Sequence, residues 1–86
     1  MITRKFTINN PTGLHARPAS ELCALCKKYQ SKIIIQCNGK SINPRSVISI
    51  LTGGMSFGKT VNVEISGDDE ITAMESMTRF FSELVE

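Results

Sequence analysis

The sequence predicts an α+β fold, an open-faced two-layer sandwich in which three helices cover one face of a four-stranded antiparallel sheet. Three observations lead there. The predicted elements run β-α-β-β-α-β-α, each strand has one apolar face, and the longer helices each have one apolar stripe. Single apolar faces of this kind are buried together only when helices and sheet pack as two layers. With 86 residues, of which 41% are apolar, the chain supports one core and not two. A single domain is therefore expected over residues 1–86.

Residues 2–8 alternate, with Ile2, Phe6 and Ile8 apolar against Thr3, Lys5 and Thr7 polar, which reads as a half-buried strand. The run Asn9-Asn10-Pro11-Thr12-Gly13 is turn chemistry. From Ala16 to about Tyr29 the positions Ala19, Leu22, Cys23, Cys26 and Tyr29 recur at helical spacing. Lys27 and Lys28 would then lie in the last turn, where cations suit the helix dipole. Residues 32–37 form a second strand with Ile33, Ile35 and Cys37 on one face. Asn38-Gly39 is a strong hairpin signal, and residues 40–43 are the return strand. Ser46 to Thr52 reads as a short helix stopped by Gly53-Gly54. Residues 60–66 alternate again, turning Val61, Val63 and Ile65 inward. The final helix carries the stripe Ala73, Met77, Phe80, Phe81 and Leu84, with Asp68 or Asp69 as N-cap and Glu70 in its first turn.

Composition narrows the function classes. Ten basic and eight acidic residues give a net charge of +2, too balanced for a protein whose main partner is nucleic acid. No apolar run approaches the roughly 20 residues that span a bilayer, so no membrane insertion is expected. The start, Met1-Ile-Thr-Arg-Lys-Phe6, passes directly into alternating sequence, which argues against a signal peptide. An odd count of three cysteines suits a reducing, cytoplasmic setting better than a disulfide scaffold. Cys23-x-x-Cys26 offers the alternative of a metal or redox module, but it falls mid-helix on the apolar face, where thiols act as small hydrophobes and not as activated ligands. Three thiols and one distant histidine also lack zinc-ligand spacing. No metal and no cofactor is expected.

The informative stretch is Gly13-Leu14-His15-Ala16-Arg17-Pro18-Ala19. His15, the only histidine, follows a glycine turn and occupies the N-cap position of the first long helix. Pro18 suits the first helical turn, where its missing N–H costs nothing. The amides of Ala16 and Arg17 point out of the helix start, at the positive end of the dipole, and form an anion site. Arg17 adds a guanidinium fork that matches phosphate oxygens. Together they would stabilise charge on a transferring phosphoryl group beside an imidazole nucleophile. A neutral imidazole has one nitrogen able to attack. On position alone, His15 reads equally well as a plain N-cap residue near an ordinary arginine.

A second serine-bearing helix start lies at Asn43-Pro44-Arg45-Ser46, with Ser46 as N-cap. In the short helix that follows, Val47, Ile48 and Leu51 cannot all turn inward in so small a domain. Some must face outward, and an exposed apolar patch marks a partner site. Thr12, Ser20, Lys27 and Thr52 are expected to complete that interface.

The string Gly13 to Ala19 resembles the active-site signature of the HPr family, the histidine-containing phosphocarriers of the bacterial phosphoenolpyruvate-dependent sugar phosphotransferase system. The resemblance extends over nearly the whole chain, through Asn38-Gly39-Lys40, Ser46, Gly54, Gly58, Gly67 and Asp69-Glu70. It implies that His15 accepts phosphate from phosphorylated enzyme I and passes it to the IIA component of a sugar transporter, with Arg17 as phosphate-binding partner. The protein would then be a carrier and not an enzyme, acting as a monomer. It also implies phosphorylation of Ser46 by a dedicated kinase/phosphorylase, and through it a transcriptional regulator as a further partner. A regulatory paralogue would lose the nucleophile, and a nitrogen-branch carrier often lacks the serine. Three positions depart from the family pattern: Ser49 replaces a usual glycine, Gly53 a usual bulky apolar residue, and Ala24 a lysine found in some relatives.

Overall fold

The structure, a computed structural model, describes residues 1–84, so the single domain expected over 1–86 extends two residues beyond the described ones. Its elements are β1 (Ile2–Thr7), α1 (Ala16–Cys26), β2 (Lys32–Cys37), β3 (Lys40–Ile42), α2 (Val47–Leu51), β4 (Thr60–Ser66) and α3 (Glu70–Ser82). The strands make one antiparallel sheet in the order β1-β4-β2-β3. The predicted element order and layering are observed.

Strand register explains the single buried face. Ile2 pairs with Ile65, which pairs on its other side with Ile33; Val63 stands opposite Ile35, and Ile35 opposite Ile42. Side chains alternate across a strand, so these residues share one face and pack under the helices with Leu22, Cys26, Ala73 and Met77; all but the half-buried Ile2 are 4% exposed or less. Phe6 stacks on Phe81, ring centroids 4.8 Å apart, and fastens α3 over β1. The opposite face shows a polar row across all four strands, Lys5, Asn62, Gln36 and Ser41, and faces solvent as one side of an antiparallel sheet commonly does. At the β2–β3 hairpin Asn38 and Gly39 both have positive φ, 56° and 76°, the pair of left-handed residues a tight primed turn requires.

The boundaries differ from expectation where tertiary contacts end an element early. α1 stops at Cys26 and does not reach Tyr29: Lys27 is its C-cap, and Lys28 and Tyr29 donate to Leu25 O and Cys26 O in a tight turn just past the helix. Lys27 and Lys28 therefore follow the helix instead of lying in its last turn. The chain must redirect there into β2, and Arg45 holds the bend by donating to Tyr29 O (2.6 Å) and Ser31 O (2.9 Å). β1 ends at Thr7, yet Ile8 stays fully buried, exchanging backbone bonds with Lys59 and Gly58. β3 stops at Ile42 because the Asn43 amide turns to Ser49 Oγ, 2.9 Å away.

At α3, Asp69 occupies the N-cap position, but its carboxylate does not cap the helix. It accepts instead from the Gln30 and Ser31 amides, both at 2.9 Å, and from the Ser31 hydroxyl, tying α3 to the α1–β2 bend. The first turn is served by Glu70, which accepts from Gly67 N–H. The buried stripe of α3 includes Met74, which the sequence reading omitted, whereas Phe80 and Leu84 are only half-buried and Leu84 lies past the helix end. Among the described residues no helix is long and apolar enough to cross a membrane.

Candidate functional site

The turn ahead of α1 is built to present His15. Asn10, 1% exposed, donates from Nδ2 to Gly13 O (2.6 Å) while Gly13 N–H returns to Asn10 O (3.1 Å), so the loop is cross-braced from both ends. Gly13 has φ +66° and lies so close to the 55–56 backbone that a Cβ would stand 2.8 Å from Met55 O and from Ser56 Cα. Both facts exclude a side chain there. Leu14 is buried and its amide donates to Met55 O, 2.9 Å away, anchoring the chain one residue before the histidine.

His15 then takes extended backbone geometry, φ −85° and ψ −169°, in the N-cap position of α1. Its ring makes no capping hydrogen bond to the helix, so capping does not account for it. The first intrahelical bond runs from Ala19 N–H to His15 O, 2.9 Å. The amides of Ala16 and Arg17 precede that bond at the positive end of an 11-residue helix. Pro18 is buried in the first turn and directs α1 into the core, which leaves the half-buried ring at the domain surface.

Arg17 is exposed and its Nε lies 3.9 Å from Glu21 Oε2, one turn along the helix. A pair this exposed contributes little to stability. Ser20 is exposed on the same helix, and Thr12 on the loop before it. Lys27 caps the opposite end of α1, about 18 Å along the axis from His15 at 1.5 Å per residue. It belongs at most to the far rim of an interface centred on His15.

Ser46 caps α2: its Oγ accepts from Ser49 N–H at 3.2 Å. The departures from the family pattern now have structural accounts. Ser49 Oγ takes the Asn43 amide and so fixes the turn that carries Ser46. Gly53 leaves room that the Ile42 side chain fills. Ala24 is exposed on α1. In α2 only Ile50 is buried; Val47 is half-buried, Ile48 is 74% exposed and Leu51 45%. Thr52 is the exposed C-cap, its hydroxyl donating to Ile48 O at 2.9 Å. The sequence reading missed Asn10 as the brace of the turn, Met55 as its anchor, and Phe57 as an exposed aromatic. Asn10 was detectable as one member of the Asn-Asn-Pro turn, but the pairing with Met55 is long-range and has no local signature.

The thiols are placed as packing groups. Cys23, Cys26 and Cys37 are all reduced and buried, Cys26 with its Sγ 3.9 Å from Met77 Sδ. Burial pushes the Cys26 thiol up to about 12, against a smaller downward pull from Arg45. A thiol so far from thiolate is neither nucleophile nor ligand at neutral pH.

Comparison with known proteins agrees with the geometry. Residues 2–83 match the family described as PTS HPr component phosphorylation site. The phosphocarrier protein HPr of Buchnera aphidicola subsp. Acyrthosiphon pisum is 37% identical over 84 residues, covering 98% of this chain and 99% of that protein. Among solved structures, HPr-C-His from Thermoanaerobacter tengcongensis superposes with a TM-score of 0.90 at 33% identity, over 95% of this chain and 92% of that one. Crh of Bacillus subtilis, solved as a swapped dimer, gives a TM-score of 0.76 at 28% identity over 100% and 99% of the two chains. The chain belongs to the HPr family, the phosphocarriers of the phosphotransferase system.

Proposed function

We propose that His15 is the phosphoryl-carrying residue, loaded by phosphorylated enzyme I and unloaded to the IIA component of a sugar transporter in the cytoplasm. The observation that carries this reading is the placement of an otherwise uncommitted imidazole at the start of α1, ahead of the Ala16 and Arg17 amides. One ring nitrogen attacks the phosphorus of the donor's phosphohistidine; the N–P bond of the donor breaks as the new N–P bond forms, and the donor imidazole leaves. The helix start and Arg17 stabilise the phosphoryl oxygens during transfer and make no covalent bond. The reverse sequence delivers the group to the acceptor. The chain thus acts as a carrier across one domain, residues 1–86.

Ser46 is proposed as the regulatory phosphorylation site, served by a kinase/phosphorylase. A phosphate there adds about −1.5 to −2 charges beside exposed Ile48 and Leu51, which repels acidic partner surfaces without melting α2. A phosphoserine form also offers a docking signal to a transcriptional regulator. The presence of His15 favours a carrier over a purely regulatory paralogue. Crh and one Thermoanaerobacter HPr were solved as dimers; phosphoryl exchange needs only one copy, so a monomer is the proposed working form.

Incubation with enzyme I and phosphoenolpyruvate tests the reading. One acid-labile phosphate per chain is expected, as for any phosphoramidate, and His15→Ala should abolish it. Acid-stable label, or full labelling of the His15→Ala chain, would refute the carrier assignment.

A further inference from the structure

The helix-free face of the sheet holds a depression of about 360 Å³ that phosphoryl transfer at His15 does not use. There Lys5 of β1, Asn62 of β4, Gln36 of β2 and Ser41 of β3 stand side by side in one row. Thr60 and Lys40 line the depression as well, and among the described residues no carboxylate does. Glu64, on the same face, lies two residues further along β4, opposite Thr3 and Ile34. Asn62 is the residue that folding does not explain. It occupies the interior of a strand paired on both sides, where asparagine is a poor choice. Its Oδ1 is buried yet accepts no hydrogen bond from any described residue, an arrangement that costs stability. A threonine there would suit the strand without that cost. A local rule broken with no structural return marks a functional position.

Each group in the depression makes its own demand on an occupant. Asn62 Oδ1 needs a donor, which a hydroxyl supplies. Gln36, Ser41 and Thr60 can both donate and accept. Lys5 and Lys40, both exposed, call for an anion. Volume limits the occupant to a small solute, since about 360 Å³ falls at the lower end of ligand pockets. The lining is too polar for an apolar ligand, and two lysines are too few for a nucleic-acid track. Lys5 and Gln36, the neighbours of Asn62 across the strands, are long, exposed side chains that can swing aside to admit a hydroxyl to Oδ1. The geometry points to a binding site for a small phosphorylated polyol, its phosphate drawn by Lys5 and Lys40 and a hydroxyl donating to Asn62 Oδ1. The site lies across the sheet from the helices and so is separate from the α1 start that presents His15.

Ribose 5-phosphate is the probe, titrated into the chain by NMR, with ribose and inorganic phosphate as separate arms. Amide signals of residues 36, 41, 60 and 62 should shift and saturate together. Ribose and inorganic phosphate should each bind at least about tenfold more weakly, because each meets only part of the site. Asn62→Thr should weaken ribose 5-phosphate about tenfold and Lys5→Gln about fivefold, while Arg17→Ala leaves the affinity unchanged. Asn62→Thr should melt no lower than the parent, since Oδ1 has no partner in the fold. A lower Tm would return Asn62 to a structural role and overturn the inference; Lys5→Gln, an exposed change, reads the site independently of that melt. Shifts confined to residues 15–17, or affinity lost in Arg17→Ala, would place the phosphate at the α1 start and overturn it. Equal binding of inorganic phosphate would mean an adventitious ion only, and absence of any saturable shift would overturn the site outright. None of these outcomes depends on whether His15 carries phosphate.

Discussion

Raising the pH should destabilise the domain through one buried thiol. Cys26 is the last residue of α1, fully buried, and its thiol is pushed from 9.0 up to about 12 by burial, with Arg45 pulling it slightly back and Cys23 adding a small push. The folded chain therefore holds a proton that the unfolded chain releases near pH 9. The stabilisation linked to that proton is intact below pH 9 and is lost as the pH rises toward 12. Worked through the linkage relation, the loss is on the order of 1 kcal/mol at pH 10 and grows until the thiol is ionised in both states. Urea unfolding of the parent and of Cys26→Ala at pH 8 and pH 10 isolates this contribution. Tyr29, the lysines and Cys37 are common to both chains and cancel in the difference, and Cys23, coupled to Cys26, leaves only a small residue. The parent should lose on the order of 1 kcal/mol more than Cys26→Ala between the two pH values, on top of a pH-independent packing loss in the variant. In the native parent at pH 8 the same shift predicts alkylation of Cys26 about 1000-fold slower than in denaturant, from thiolate fraction alone. Equal pH slopes in the two chains would refute the burial account of this thiol.

Two further outcomes follow from the site and its frame. Arg17→Ala should leave the fold unchanged, since the side chain is exposed, and slow phosphoryl transfer to and from His15 by roughly 10- to 150-fold, the kinetic equivalent of a lost charged hydrogen bond of about 1.5–3 kcal/mol; unchanged single-turnover rates would remove Arg17 from the site. The Asp69 carboxyl is held below its ordinary 3.8, first by the Ser31 hydroxyl and then by the Gln30 amide, so the stabilisation it provides is present above about pH 4 and lost as the pH falls through the folded value. An Asp69→Asn chain should show a flatter acid limb in thermal melts between pH 5 and pH 2, to order of magnitude of the window, and an unaltered limb would mean that another carboxylate carries the acid sensitivity.

Much of the fold was legible because local and tertiary preferences agree. The alternation in residues 60–66 survives intact as β4, since a central strand with one covered face has nowhere else to put Val61, Val63 and Ile65. Asn38-Gly39 gave the hairpin because few dipeptides tolerate two positive φ values in succession. The misplaced features share a cause. Tyr29 continues the helical period of α1, but its hydroxyl is engaged by Ser76 of α3 and its carbonyl by Arg45, so tertiary bonds end the helix first. Asp69 has the composition of an N-cap, yet amides 38 and 39 residues away compete for its carboxylate and win. Neither competitor lies within the window that a local pattern surveys. The site divides the same way: the run from Gly13 to Ala19 is contiguous and readable, whereas its support by Met55 and the Ser56–Lys59 turn depends on a long-range hydrogen bond.

That division bears on how a carrier differs from an enzyme. An enzyme site draws its groups from several elements and closes around a substrate, but here His15, Arg17 and the leading amides, the groups proposed to carry the transfer, all come from three consecutive residues on one helix start. Their backbone positions are set by helix geometry and need no closure, so only the Arg17 side chain has to turn. The long-range braces at Asn10, Met55 and Gly13 add rigidity to that start without adding chemistry. On the proposed carrier reading, partner contacts fall to exposed side chains of another element, Ile48 and Leu51 on α2. Substitutions at these two positions should then act on binding and leave chemical loading of His15 unaltered, while substitutions at Gly13 or Asn10 should disturb loading by every donor alike.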